Sequence, residues 1–178
     1  EKKLKREGFV DNGTNWLKTE AGSYVTTTLM GKMISLGLSK YATLDTYGMG
    51  VEMEAGKPGW NDAMNGLPGL FGSGMSETLE LKRLMSFIIN NVMRADEIKL
   101  PLEVHDYLLR VYVATTKLYN KEIDDFAYWD RVSLIREEYR EDVRYCLKGV
   151  YATISTSKVK EIFEKFNEKI DDGIKRAM

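Results

Sequence analysis

The sequence has 178 residues, of which 43% are hydrophobic and 30% are charged, and its formal net charge is -1 at pH 7. This balance gives no bulk attraction to nucleic acid or to an anionic membrane, and we expect neither as a partner. The single cysteine, Cys146, excludes an internal disulfide and favours a reducing, cytoplasmic location. No apolar run has the length that spans a bilayer. Because the chain opens on Glu1 with neither an initiator Met nor a signal peptide, we expect residues 1 and 178 to be cut points in a longer protein.

Residues 1–75 are predicted to form an irregular N-terminal segment with one candidate helix. Apolar residues at helical spacing predict that helix from about Val25 to Ser39. Residues 51–55 alternate between apolar and acidic side chains, which predicts a short strand with Glu52 and Glu54 on one face. A solvated strand face is the simplest interpretation of these two glutamates.

Residues 76–178 are predicted to form a four-helix segment, which with residues 1–75 makes one structural unit. Ser76 is a suitable N-cap, and Pro101 is suited to the first position of a helix. The apolar stripes predict helices near 77–94, 102–119, 125–147 and 157–176. Four amphipathic helices with short links fit either a small bundle or two hairpins of a helical barrel.

A glycine-rich stretch ends the first of these parts. Six of the fifteen glycines lie between Gly56 and Gly74, as do two of the three prolines, which excludes a regular helix or strand there. Large apolar side chains are embedded in it, so we expect residues 48–75 to be irregular but ordered. Trp60, Asn61 and Asp62 supply an aromatic face, an amide and a carboxylate, the groups that a sugar site needs.

The run Trp60-Asn61-Asp62-Ala63-Met64-Asn65, followed by a glycine-rich turn and by Ser76-Glu77 at a helix start, resembles the cellobiose phosphorylase family. Members of that family are inverting glycoside phosphorylases built on an (α/α)6 six-hairpin barrel. The resemblance covers roughly residues 56–84, a small part of a family member. Many members carry an acidic residue immediately before the Trp, where this chain has Gly59. The resemblance implies a mainly α fold in which this chain is a fragment of such a barrel.

The resemblance also implies roles for individual residues. Asp62 would be the general acid and Trp60 the platform for the transferred sugar, while Asn61 and Asn65 would line the substrate site. The reaction would be inverting phosphorolysis of a β-linked disaccharide or glucoside, with inorganic phosphate as co-substrate and no metal or other cofactor. Because phosphate is the nucleophile, one carboxylic acid suffices.

Two alternatives follow from the same residues. A glycoside hydrolase on the same fold would need a second carboxylate, for which Glu52 and Glu54 are the candidates nearby. A non-catalytic helical interaction module would use the glycine-rich stretch only as structure, with Asp62 as a helix cap or turn residue. The expected partners are a carbohydrate substrate and the remainder of the parent chain, and a homo-oligomer is left open.

Overall fold

The computed structural model describes residues 16–52 and 72–178. These residues are mainly helical, which confirms the predicted class at that level. The described α-helices are α1 (Leu29–Tyr41), α2 (Met75–Asn91), α3 (Leu102–Tyr119), α4 (Asp125–Asp142) and α5 (Thr156–Ala177). A 3-10 turn, Val92–Arg94, continues α2. No helix in this part of the chain combines the length and the apolar composition needed to cross a membrane.

Three pairs of short strands tie the helices together within the described residues. The strands are β1 (Lys18–Thr19), β2 (Val51–Glu52), β3 (Ser73–Gly74), β4 (Glu97–Pro101), β5 (Cys146–Leu147) and β6 (Tyr151–Ser155). Strand β1 runs parallel to β5, whereas β2 pairs antiparallel with β3 and β4 pairs antiparallel with β6.

Helix α5 lies at the centre of the helical packing. It packs against α2 on one side and α3 on the other, while α1 packs on α2 and α4 packs on α3. Its predicted apolar face is confirmed as core. The fully buried residues of that face are Val159, Ile162, Phe163, Phe166 and Ile170. The ring of Tyr41 at the end of α1 stacks on Phe166 with 4.1 Å between ring centroids, so the core extends from α1 to α5.

Side-chain caps set the starts of three helices. The Thr28 hydroxyl accepts from the Gly31 amide at 3.0 Å and begins α1 at Leu29, four residues after the predicted start. Asp124 and Ser155 cap α4 and α5 in the same way. The N-cap of α2 is Gly74 and not the predicted Ser76. The predicted bounds of α3, 102–119, are confirmed, but Pro101 is its N-cap and not its first helical residue.

Helix α4 ends at Asp142, five residues before the predicted end at 147. The following residues leave the helical path because Cys146 and Leu147 pair with β1, and the Glu20 amide donates to the Leu147 carbonyl at 2.8 Å. Cys146, which lies inside the predicted helix 125–147, is therefore a strand residue and not a helical one. The pairing of β5 with β1 decides the structure here, although apolar residues at helical spacing continue past the end of α4.

The sequence predicts only a short link between the helices at 125–147 and 157–176, but the structure places β6 there. This strand pairs with β4 from Glu97↔Ser155 to Pro101↔Tyr151, so the residues that lead into α3 and α5 are neighbours. The Leu102 amide donates to the Val150 carbonyl at 2.9 Å and the Thr156 amide to the Asp96 carbonyl at 3.0 Å. The two helices thus start from one small ladder.

Candidate functional site

Most of the predicted site residues belong to residues 53–71, outside the described part of the chain. Trp60, Asn61, Asp62, Asn65 and Glu54 are among them, so the structure does not test their placement. The same is true of the predicted strand beyond Glu52 and of most of the predicted irregular segment 48–75. What the structure does describe is the pair of strands on either side, β2 and β3, which we call the β2–β3 base.

The β2–β3 base brings the two flanks of the motif together. Glu52 lies opposite Ser73, and Val51 lies opposite Gly74. The Glu52 amide also donates to the Thr43 carbonyl at 2.6 Å, which attaches the base to the residues that follow α1. The chain therefore leaves toward the Trp60–Asn65 motif and returns from it at one place in the fold.

A turn organised by Asp45 supports this base. One carboxylate oxygen of Asp45 accepts from the amides of Tyr47 at 3.1 Å and Met49 at 2.9 Å. The other accepts from the Gly50 amide at 2.9 Å and from the Ser73 hydroxyl at 2.7 Å. Four donors on one carboxylate fix the loop and join it to β3, because hydrogen bonds to a charged acceptor are stronger than neutral ones.

The side chain of Glu52 attaches the base to helix α4. Its Oε1 accepts from the indole Nε1 of Trp129 at 2.6 Å, and its Oε2 lies 3.6 Å from Nη1 of Arg136. The same Nη1 donates to the Ala42 carbonyl at 2.9 Å. The side chains of Glu52 and Arg136 are only 27% and 14% exposed, so this charge pair is less screened than a surface pair. The phenyl ring of Phe126 contacts the Trp129 ring with 5.7 Å between centroids.

Lys169 of α5 lies below the Asp45 turn. A Cβ on Gly48 would lie 3.4 Å from the Lys169 side chain, and the φ of +75° at Gly48 suits glycine. The Lys169 side chain is 3% exposed, and its Nζ lies 3.3 Å from Oδ1 of Asp125. Burial lowers the pKa of Lys169, and the Asp125 carboxylate opposes that shift. The second Asp125 oxygen accepts from Arg176 at 2.9 Å.

A cavity of about 550 Å³ opens between the α3–α4 link and the end of α5. Lys169 and Arg176 line it, and both contact Asp125. Asp172, also in the lining, accepts from the Tyr119 hydroxyl at 2.8 Å. The positive charges of Lys169 and Arg176 are compensated by the carboxylate of Asp125. The cavity is therefore lined by a polar network and is not a typical anion-binding site.

His105 and the acidic side chains are the remaining titratable candidates among the described residues. The Nδ1 of His105 lies 3.2 Å from Oδ1 of Asp106, its sequence neighbour. Across residues 16–52 and 72–178, no group of three or more His, Cys, Asp or Glu side chains is arranged to hold a metal ion. Glu52 is the one predicted site residue that the described ranges contain, and it contacts the rest of the fold through both oxygens.

The sequence interpretation missed Asp45, Trp129 and Arg136. Asp45 precedes Thr46-Tyr47-Gly48, a turn composition that could have indicated a side chain bonding to its own loop. Trp129 and Arg136 are seven residues apart, two helical turns, and so share one face of α4. Their partner, Glu52, is distant in sequence, and no local pattern identifies it.

No protein-family model matches the chain, and no curated protein matches it either. The likeness to cellobiose phosphorylases therefore depends on the motif itself. The structural argument for a function rests on the residues that surround the β2–β3 base.

Proposed function

We propose that the chain is part of a carbohydrate-active enzyme that performs inverting phosphorolysis of a β-linked disaccharide or glucoside. Asp62 is the general acid that protonates the leaving oxygen, and Trp60 stacks on the transferred sugar. Asn61 and Asn65 bind the substrate, and inorganic phosphate is the nucleophile. The fold proposed for the parent is an (α/α)6 barrel, to which this chain contributes helical hairpins.

The observation that carries the proposal is the Trp60-Asn61-Asp62 motif, placed between two flanks that the structure holds together. A carboxylic acid acts on a glycosidic bond only when it is held close to the leaving oxygen. Glu52 pairs with Ser73, and the Ser73 hydroxyl donates to Asp45. These contacts hold the two flanks of the segment that carries the acid. An aromatic ring beside the carboxyl group would also favour its protonated form.

The helix arrangement supports the barrel part of the proposal. Helices α3 and α4 are consecutive, pack on each other along their length, and are joined by the short link at residues 120–124. Such antiparallel pairs are the repeating unit of a helical barrel. The α2–α5 pair is different, because the β4–β6 ladder and the α3–α4 hairpin lie between its members in sequence.

The contacts of Glu52 weigh against one of the two candidates for the second carboxylate of a hydrolase, whereas the other candidate, Glu54, lies outside the described residues. A hydrolase needs a second carboxylate that presents a free oxygen to water. Both oxygens of Glu52 face donors on α4, at 2.6 Å from Trp129 and 3.6 Å from Arg136. The carboxylate is thus occupied in holding the fold, which is compatible with a reaction that uses phosphate as the nucleophile.

The test is made in the enzyme that contains this chain. With a β-linked disaccharide and inorganic phosphate, the wild type should release a sugar 1-phosphate of inverted anomeric configuration. Asp62→Asn should lower kcat by about 10²–10⁴-fold, the usual contribution of general acid catalysis. The loss should shrink for a glycosyl fluoride, whose leaving group needs less protonation. The matched control is Asp96→Asn, at an exposed position between α2 and β4, which should retain wild-type kcat.

The outcomes separate the alternatives. Cleavage that does not depend on phosphate would identify a hydrolase. Near-wild-type kcat for Asp62→Asn on an unactivated disaccharide would show that Asp62 is a structural residue, and absence of any sugar cleavage would favour the non-catalytic module. Trp60→Ala should raise KM as well as lower kcat, because it removes the stacking surface.

A further inference from the structure

We propose that the cavity between the α3–α4 link and the end of α5 is a polyol site, which binds a neutral, polyhydroxylated ligand of about the size of a monosaccharide. Every residue that carries this inference belongs to the described part of the chain. The polyol site therefore goes beyond the proposed function and does not depend on it. The volume of about 550 Å³ lies within the range of about 300–1,000 Å³ that is usual for small-molecule sites.

The cavity contains a buried cation with N–H groups left to donate. Lys169 lines it, and the side chain of this lysine is only 3% exposed. An ammonium group has three donors, but within the described residues the Nζ of Lys169 donates only to Oδ1 of Asp125, at 3.3 Å. Burying a donor without an acceptor is unfavourable, so a ligand oxygen in the cavity would stabilise this group.

Half-exposed donors and acceptors lie beside this buried group. Arg176 donates from Nη1 to Oδ2 of Asp125 at 2.9 Å, which uses one of its five N–H donors. Asp172 accepts from the Tyr119 hydroxyl at 2.8 Å, and a carboxylate has lone pairs for further donors. The lining therefore offers both hydrogen-bond donors and hydrogen-bond acceptors to a ligand.

The charges of the lining decide the class of ligand. Among the described residues around the cavity, three are cationic and four are acidic, namely Lys121, Lys169, Arg176, Glu122, Asp124, Asp125 and Asp172. A charged ligand of either sign would meet like charge at close range, and a zwitterion would compete with ion pairs that the fold already makes. A hydroxyl group donates and accepts at one atom without bringing a charge, so it fits such a lining.

One part of the wall is apolar. Leu118, at the end of α3, and Ile123, in the link that follows it, are half-buried and line the cavity. A cyclic polyol has C–H faces as well as hydroxyl groups, and these faces pack favourably on aliphatic side chains. The mixed wall therefore favours a cyclic polyol or a monosaccharide.

Protection of lysines from acetylation, read by mass spectrometry in the protein that contains this chain, tests the inference at the cavity itself. Lys121 lines the cavity, whereas Lys175, in the last turn of α5, is not among the described lining residues. The probes are D-glucose and myo-inositol, two neutral cyclic polyols. Half-maximal protection of Lys121 is expected at about 1–10 mM, as for a small ligand held by a few hydrogen bonds. At about ten times that concentration its acetylation should slow by at least about threefold, while that of Lys175 is unchanged.

Two charged probes test the class of ligand. Inorganic phosphate is an anion and glycine is a zwitterion, and at matched ionic strength neither should protect Lys121 at concentrations where the polyols do. Protection by either charged probe that is at least as strong as protection by the polyols would overturn the inference. Absence of protection by both polyols would overturn it as well.

Tyr119 has a matched control on the same helix. Tyr119 and Tyr112, two turns apart on α3, donate to carboxylates of α5, Asp172 and Glu161 respectively. Tyr119 lines the cavity, and Tyr112 is not among the described lining residues. Tyr119→Phe removes a hydroxyl from the lining and should raise the half-maximal polyol concentration about three- to tenfold, whereas Tyr112→Phe should leave it within about twofold. Equal effects of the two variants would overturn the inference.

A second matched pair removes the same charge from adjacent positions of α5. Arg176 lines the cavity and contacts Asp125, whereas the side chain of Lys175 is 76% exposed. Arg176→Gln should raise the half-maximal concentration by about tenfold, because a charge-assisted hydrogen bond to the ligand is lost, and Lys175→Gln should not change it. Lys169 still pairs with Asp125 in Arg176→Gln; if this variant nevertheless fails to fold, the tyrosine pair decides the test. Unchanged protection in the folded cavity variants would overturn the inference.

The two proposals fail separately. Protection of Lys121 by a polyol in a protein that cleaves no glycosidic bond would support the polyol site and overturn the proposed function. Phosphorolysis by an enzyme in which neither polyol protects Lys121 would overturn the polyol site alone.

Discussion

The buried ion pair between Lys169 and Asp125 gives the most direct test of how the base is supported. The change is Asp125→Asn, which removes one charge with little change in shape. At 3.3 Å and an effective dielectric constant of about 20, the attraction is worth about 5 kcal/mol before desolvation is subtracted. Removing one partner leaves the ammonium group of Lys169, which is only 3% exposed, without its counter-charge. Breaking a buried pair in this way costs about 3–5 kcal/mol, and the partial exposure of Asp125 places the expected loss near 3 kcal/mol.

The assay is equilibrium unfolding in urea or by heat. In a chain of this size, a loss of about 3 kcal/mol lowers Tm by roughly 6–12 °C. Lys169→Met removes the charge but keeps the length of the side chain, and the double variant Asp125→Asn/Lys169→Met should recover most of the lost stability. Asp130→Asn, at an exposed position on the same helix, serves as the control. A loss below 1 kcal/mol, or a double variant no more stable than Asp125→Asn, would refute the reasoning.

The pH dependence supplies an independent check on the same pair. Burial raises the pKa of Asp125, but the hydrogen bond from Arg176 and the charge and hydrogen bond of Lys169 outweigh it, so the pKa lies below its ordinary value of 3.8. The unfolded chain then binds the proton more tightly than the folded chain. The contribution of Asp125 to the free energy of unfolding is complete above the pKa that it has in the unfolded chain. This contribution is lost as the pH falls through the lower pKa that it has in the folded chain. Asp125→Asn should therefore show a weaker decline of stability in acid than the wild type.

Three further predictions concern buried packing. Gly173→Ala should destabilise the fold by about 2 kcal/mol or more, measured by urea unfolding, because the added Cβ would overlap the Gly48 carbonyl oxygen; a gain of stability, as at an ordinary exposed helical glycine, would contradict it. Spectrophotometric titration should show Tyr128 ionising only near pH 12, after the exposed tyrosines, because burial raises its pKa to about 12; ionisation of Tyr128 near pH 10 in the folded protein would be inconsistent with this burial. Tyr41→Phe should lower the free energy of unfolding by about 1–2 kcal/mol, because it removes the hydroxyl that accepts from Tyr128 at 2.9 Å.

The helices were predictable because their apolar residues report burial directly. The apolar residues of α5 that recur at helical spacing in the sequence are the ones that form its buried face, and Phe163 and Phe166 are fully buried. The ends were less predictable. Helix α4 carries Glu141 and Asp142 in its last turn, where negative charge is unfavourable to the helix dipole, and this was the local signal of an early end.

The strand pairs could not be derived in the same way. In β4 the buried Ile98 and Leu100 alternate with exposed residues, but a five-residue alternation is too short to distinguish a strand from a link. Its partner β6 is about fifty residues away, and only the packing of α5 brings them together. The contact of Glu52 with Trp129 has the same origin, because it joins residues 77 positions apart.

The antiparallel pairing of Glu52 with Ser73 has a consequence for how such a protein can change over evolution. Whatever sequence is encoded between these two residues must begin and end about 5 Å apart, the spacing of neighbouring strands. That requirement fixes the end points but not the number of residues, and doubling the length of a flexible loop costs only about 0.6 kcal/mol in closure entropy. Insertions, deletions or whole replacement segments can therefore be exchanged at this point while the helices keep their sequence. The described scaffold can in this way serve as a constant frame into which recombination delivers new segments.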